Sequence, residues 1–177
     1  HSRQTGDMKK VVLFSVLTCA LTLHAEFEDT FPASSASTWT FTASENCDVS
    51  TRFGARIAFE GEDRSGLNMQ FAERKLSRKV KGKWFTMTRG IEAGVLKDAQ
   101  GLFVELSPAK ECNWWMQVII YTRDGSSYSK ELIPYHYQGN RWQNRIVDFA
   151  DFKTEKKDAP PLDPARISRI AINGSVP

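Results

Sequence analysis

Three histidines and three cysteines are all that this chain of 177 residues contains, and neither type clusters. Zinc centres need imidazole and thiolate groups held close together, and switches built on histidine clusters need several of them. Both classes start short of material. Charge of one sign is lacking too, since 24 Lys and Arg stand against 21 Asp and Glu, a formal +3 without basic runs. A protein that neutralises nucleic-acid phosphates needs a dense cationic face, so nucleic acid is not an expected partner. No apolar run reaches the roughly 20 residues that a membrane-spanning helix requires. There is no internal repeat, no Gly-x-Ser-x-Gly nucleophile elbow and no Asp-x-Asp-x-Asp calcium loop. The usage that remains, 41% hydrophobic, 25% charged and 11% aromatic residues, is that of one globular domain.

The N-terminal part reads as an export leader. Met8-Lys9-Lys10 supplies the positive start, Val11 to Leu23 is a run dominated by apolar side chains, and Ala25 is a small residue at the cleavage position. Residues 1–7 fit no leader pattern and read as sequence upstream of the true start. The expected organisation is therefore a signal peptide over 8–25 and a single domain over 26–177, secreted or periplasmic, with no membrane span in the mature chain. Cleavage after Ala25 leaves 152 residues with 21 basic and 20 acidic side chains, one histidine, His136, and two cysteines, Cys47 and Cys112. All five tryptophans remain. In an exported protein the two cysteines either pair or stay as buried thiols. A disulfide closing their 65-residue separation would stabilise the fold by about 4 kcal/mol in the chain-entropy model.

Along the rest of the chain, short runs rich in β-branched and aromatic residues are broken by Gly, Asp, Ser and Pro. Strands are expected at 26–31, 38–43, 55–60, 66–71, 83–88, 102–106, 113–123, 127–137, 141–147 and 167–173, which makes the chain an all-β antiparallel β-sandwich. Asp124-Gly125 is the best hairpin turn. Only Ile91 to Ala99 has helical character, and Asp148 to Phe152 suits a single turn.

The strand over 113–123 separates into two faces. Trp114, Met116, Val118 and Ile120 alternate with Trp115, Gln117, Ile119, Tyr121 and Arg123, and a β-strand sends the two sets to opposite sides. The first set is core. The second combines aromatic rings, an amide and a guanidinium, which suits a sugar, whose C–H face stacks on Trp or Tyr while its hydroxyls bond to polar side chains. Tyr135 and Tyr137 on the next strand share a face and flank that platform. Burial of the same aromatics under a loop or a neighbouring domain explains the alternation equally well. Trp39 with Phe41 reads as core, and of the adjacent Trp84 and Phe85 one faces in and the other out.

The C-terminal third carries a resemblance. Ser127-Tyr128, then Arg141-Trp142-Gln143-Asn144-Arg145-Ile146-Val147-Asp148-Phe149, then Leu162-Asp163-Pro164-Ala165-Arg166-Ile167-Ser168-Arg169-Ile170-Ala171-Ile172 is similar to the closing half of galactose-binding-like jelly-roll domains. Phe27-Glu28-Asp29 followed by Trp39 resembles their opening. Carbohydrate-binding modules attached to secreted glycoside hydrolases belong to this group, as do the complex I intermediate-associated proteins, whose double-glycine turn is missing from Glu62-Asp63-Arg64-Ser65-Gly66. The resemblance implies a jelly roll that binds a polysaccharide or oligosaccharide through Trp115, Gln117, Tyr121, Arg123, Tyr135 and Tyr137. It implies no cofactor beyond a possible structural calcium held by Glu26, Glu28 and Asp29. It also implies one strand more than the sequence supplies, so a longer protein with a downstream domain is expected. Two alternatives stay open, a structural or protein-interaction sandwich, and a jelly-roll lyase or hydrolase using Tyr135, His136 and Arg123.

Overall fold

In a computed structural model, residues 10–19, 27–59, 62–74, 76, 82–108, 115–133 and 143–176 are described. They form strands β1 (Lys10–Cys19), β2 (Phe27–Asp29), β3 (Trp39–Ala43), β4 (Cys47–Phe59), β5 (Glu62–Glu73), β6 (Lys83–Gly90), β7 (Gly101–Pro108), β8 (Trp115–Thr122), β9 (Ser127–Ile133), β10 (Gln143–Asp148) and β11 (Ile167–Val176). The chain is all-β. One antiparallel sheet runs β10-β7-β1-β5-β4, with β2 paired to β1, and the other runs β3-β6-β11-β8-β9.

Alternation in the sequence places the core. In β8, Met116, Val118 and Ile120 are fully buried while Trp115, Gln117, Ile119 and Tyr121 are half-buried. Phe85 and Met87 of β6 and Ile170 and Ile172 of β11 point to the same side, and they join Leu67 and Met69 of β5 and Leu102, Val104 and Leu106 of β7 in one buried cluster. Trp39 belongs to it, as the sequence suggested. So does Phe31, which is held at a positive φ of 53° because the buried carboxylate of Asp29 accepts its backbone N–H at 2.7 Å.

Each of the ten expected strands has a counterpart, and three features differ from the sequence reading. Strand β4 begins at Cys47, eight residues earlier than the pattern indicated, because the ladder is interrupted between Arg52 and Ala55. Gly54 sits in that interruption at φ +65°, and a Cβ there would lie 3.1 Å from the backbone nitrogen of Ala33. The irregular pairing hid the alternation of the N-terminal half.

The second difference is at Ile91 to Ala99, which is a series of turns instead of a helix. Its bonds run from Val95 N–H to Glu92 O, Lys97 N–H to Gly94 O and Ala99 N–H to Leu96 O, each across three residues. Gly94 at φ +77° leaves helical geometry in the middle of the segment.

The third is the apolar run of the expected leader. Residues 10–19 form β1, which pairs antiparallel with β5 from Lys10↔Phe71 to Phe14↔Leu67 and with β7 from Val12↔Pro108 to Thr18↔Phe103. Among the described residues the β4–β5 and β7–β10 pairs meet only through it in the sheet order.

Candidate functional site

One face of the five-stranded sheet covers the core, and the other carries the candidate site. Strand register assigns that outer face. Trp84 of β6 stands opposite Ser175 of β11, which stands opposite Trp115 of β8. One row further on come Thr42, Thr86, Asn173, Gln117 and Glu131, and then Thr40, Thr88, Ala171, Ile119 and Ser129. The fourth row holds Gly90, Arg169, Tyr121 and Ser127. With strands about 4.8 Å apart, Trp84 and Trp115 are separated by about 10 Å of backbone, and Trp115 to Tyr121 spans about 20 Å along β8.

A wall closes one side of this face. After the 3-10 turn Phe149–Asp151, whose N-cap Asp148 accepts the N–H of Ala150 at 2.9 Å, the chain comes alongside β9. Ser129 N–H donates to Lys153 O at 2.7 Å and Lys153 N–H donates back to Ser129 O at 3.0 Å. Lys153 to Lys156 and the outer residues Trp115, Gln117, Ile119 and Tyr121 then line an open groove of about 640 Å³.

Hydrogen bonds within the face fix several of these side chains. Trp115 Nε1 donates to Glu131 Oε2 at 2.7 Å, and Gln117 Nε2 donates to Asn173 Oδ1 at 3.3 Å. The amide nitrogen of Asn173 donates at 2.9 Å both to Phe85 O and to Thr86 Oγ1. Trp84 is anchored through its backbone, its N–H donating to Ser44 Oγ at 3.0 Å and its carbonyl accepting from Ser44 N–H at 2.8 Å, which leaves the indole 41% exposed. Arg169 lies over the ring of Tyr121, 4.5 Å from its centroid, so one face of that ring is already covered.

The structure brings Trp115, Gln117 and Tyr121 together on the groove. Arg123 lies past the end of β8, exposed, with its backbone N–H bonded to Arg166 O and its side chain outside the groove lining. Tyr135, His136 and Tyr137 lie outside the described residues, as does Glu26. Glu28 is placed by its backbone in β2. Asp29 is buried, and its carboxylate takes the Phe31 N–H, the Trp39 indole N–H and the Arg89 guanidinium. Those three donors occupy both of its oxygens, which points to a core role for this calcium candidate. Among the described residues no group of three His, Cys, Asp or Glu is placed to hold a metal, and no helix is long and apolar enough to cross a membrane.

Cys47 is a buried free thiol, and Cys112 lies outside the described residues. Burial, with a smaller contribution from the Asp48 carboxylate, pushes the Cys47 thiol up to about 11, against a weaker lowering by Lys83.

Sequence reasoning did not find Trp84, Glu131, Lys153, Arg169 or Asn173. For Trp84 a signal existed, since Phe85 and Met87 alternate with Trp84, Thr86 and Thr88, and the threonine side is the wetter one. The others depend on register between distant strands, which no local pattern contains. Compared with known proteins, the chain matches no family model, no curated protein and no solved structure.

Proposed function

We propose that this domain is a non-catalytic carbohydrate-binding module of the galactose-binding-like jelly-roll type, belonging to a secreted, glycan-degrading bacterial protein. A polysaccharide chain lies on the outer face of the five-stranded sheet and stacks on Trp115 and Trp84. One observation carries this proposal: Trp115, Gln117 and Tyr121 share a solvent-facing groove, and a second exposed indole, Trp84, stands in the same row as Trp115.

The chemistry favours a sugar over an apolar partner. Aromatic faces alternate with Gln117, Asn173, Thr86, Thr88 and Ser129, so apolar contact and hydrogen bonding are interleaved at the spacing of a pleated sheet. A protein-docking patch of similar area gains most from a continuous apolar centre. Binding without cleavage is favoured because a glycosidase needs two carboxylates facing each other across the bond, whereas the described groove lining holds one, Glu155, and the nearby Glu131 is engaged with the Trp115 indole.

Affinity electrophoresis and calorimetry against β-glucans, galactans, mannans, xylans and polyuronates test the proposal. Binding to at least one polymer is expected, weakened about tenfold or more in Trp115→Ala. Retention of full affinity in Trp115→Ala and Tyr121→Ala, or no binding to any polymer, sinks it. Release of unsaturated products from a uronic-acid polymer would instead favour the lyase alternative.

A further inference from the structure

The polar groups in the groove and on the adjoining strand β11 divide into those already used and those left over. Asn173 and the Trp115 indole N–H are bonded within the sheet. Lys153, Lys156 and Arg169 meet no carboxylate among the described residues, and the Tyr121 hydroxyl has no hydrogen-bond partner there. Elsewhere on this molecule exposed cations are often paired, as Lys130 is with Asp151 at 3.3 Å and Arg166 with Asp124 at 3.1 Å.

The unpaired cations stand on opposite sides of Tyr121, with Lys153 and Lys156 in the groove wall and Arg169 at the groove's edge, outside its lining but stacked on the Tyr121 ring. Arg169 is on β11, and Lys153 and Lys156 are on the wall beyond β9. Three strand spacings separate the two sides, about 14 Å of backbone, with Tyr121 and Ile119 between. Stacking on Tyr121 orients the guanidinium plane without consuming its N–H donors, so the fork stays available for two parallel bonds to a planar oxyanion. A neutral sugar chain laid over these groups would strip water from three cations and return no charge, whereas a carboxylate compensates that loss. The groove contributes Glu155 against them, and Glu131 is held at the Trp115 end.

We infer that the glycan accepted here is an acidic one, with a carboxylate on its sugar rings, and that Arg169 is the group that grips this carboxylate while Lys153 and Lys156 hold the chain from the other side. The inference rests on the assignment of the groove as a glycan site, and it adds the ligand class and three residues that determine specificity.

The test uses the full chain with polygalacturonate, its methyl-esterified form, a neutral β-glucan and dextran sulfate, each at low and high salt. Polygalacturonate should bind, and its ester about tenfold or more weaker. Affinity for the acid should fall as salt is raised. Arg169→Gln should lose about tenfold in affinity for the acid and markedly less for the ester, and Arg169→Lys should recover part of the loss. The double variant Lys153→Gln/Lys156→Gln should flatten the salt dependence, whereas Lys97→Gln, outside the groove, should change nothing. Equal, salt-independent affinity for acid and ester overturns the acidic assignment and leaves glycan binding standing. Binding of dextran sulfate in preference to polygalacturonate overturns the carboxylate. Absence of binding to all four polymers, and to the wider neutral panel, overturns both.

Discussion

Trp39 donates its indole N–H to Asp29 Oδ2 at 2.8 Å, ten residues back along the chain, and both side chains lie in the core. The same carboxylate receives the N–H of Phe31 and pairs with Arg89, so it joins the end of β2, the following turn and the β3–β6 pair. Asp29→Ala removes the shared acceptor of three donors, one of them the buried Trp39 indole N–H. It should lower the unfolding free energy by about 3 kcal/mol or more, read by urea denaturation. Trp39→Phe, which removes one donor and keeps most of the ring, should cost less than half of that. Equal stability of Asp29→Ala and the parent would remove this carboxylate from the account of the fold.

A second carboxylate governs the β8–β9 turn. Asp124 Oδ1 accepts from the Thr122 hydroxyl at 2.6 Å and from the Ser126 N–H at 3.1 Å, and its other oxygen faces Arg166. The Thr122 hydrogen bond first, then the Ser126 N–H and the Arg166 charge, hold Asp124 down to about 2, below its ordinary 3.8. A lowered value in the folded state means that the unfolded chain binds more protons between pH 4 and 2. The contribution of Asp124 is therefore complete above pH 4 and is lost as pH falls towards 2. Asp124→Asn should flatten the pH dependence of stability in that window and leave it unchanged between pH 5 and 8.

Cys47 gives a prediction with the opposite sign. Its thiol, raised to about 11 mainly by burial, stays protonated at pH 8. The thiolate is the reactive species, so labelling by a disulfide reagent at pH 8 should be slow in the native protein and fast in urea. Because the folded value lies above the unfolded one, the associated stability is present below pH 9 and fades as pH rises towards 11. Absence of any label at Cys47 in denaturant without reductant would instead indicate a disulfide there, with Cys112 the expected partner, checked by mapping the linked peptides.

Much of the fold was legible because alternation in a strand is local. The two faces of β8 follow from Trp115 to Thr122 alone, and the same holds for β3 and β11. Legibility failed where the backbone departs from a regular ladder. Gly54 breaks β4, and Gly94 turns a helical pattern into successive turns. The site divides in the same way. Trp115, Gln117 and Tyr121 share one strand and were found together, whereas Arg169 meets Tyr121 at the groove's edge through the β11–β8 register and Lys153 reaches the groove through the Ser129 bridge, contacts 48 and 24 residues apart in sequence. The 10–19 segment is a harder case, since a leader and a central strand draw on the same apolar, β-branched residues.

That segment leads to a stability prediction. Among the described residues β1 is the only strand between β5 and β7, and its removal opens both of their facing edges and unpairs β2. Each backbone hydrogen bond lost costs about 1 kcal/mol net, so a chain beginning at Glu26 should be less stable than the chain retaining residues 10–19 by about 5 kcal/mol or more. Exposed strand edges also invite association, so the shorter chain should elute larger on size-exclusion chromatography. Intact mass of the protein isolated from cells and from medium identifies which form is made, and urea denaturation of the two forms measures the difference. Equal stability would mean that β1 contributes nothing net to the sheet.

Trp84 and Phe85 are neighbours in β6 with opposite assignments, and one pair of substitutions separates them. Phe85 is fully buried against Gly174, where a Cβ would lie 2.1 Å from its ring. Phe85→Ala should therefore cost about 3 to 5 kcal/mol of stability through the cavity it leaves. Trp84, held by its backbone to Ser44, leaves the indole facing solvent beside the Ser175–Trp115 row. Trp84→Ala should change stability by less than about 1 kcal/mol and weaken glycan binding several-fold. If the two variants behave alike, losing stability together or leaving affinity untouched together, then the outer face does not extend across β6. The proposed glycan path would in that case be confined to β8 and the Lys153–Lys156 wall.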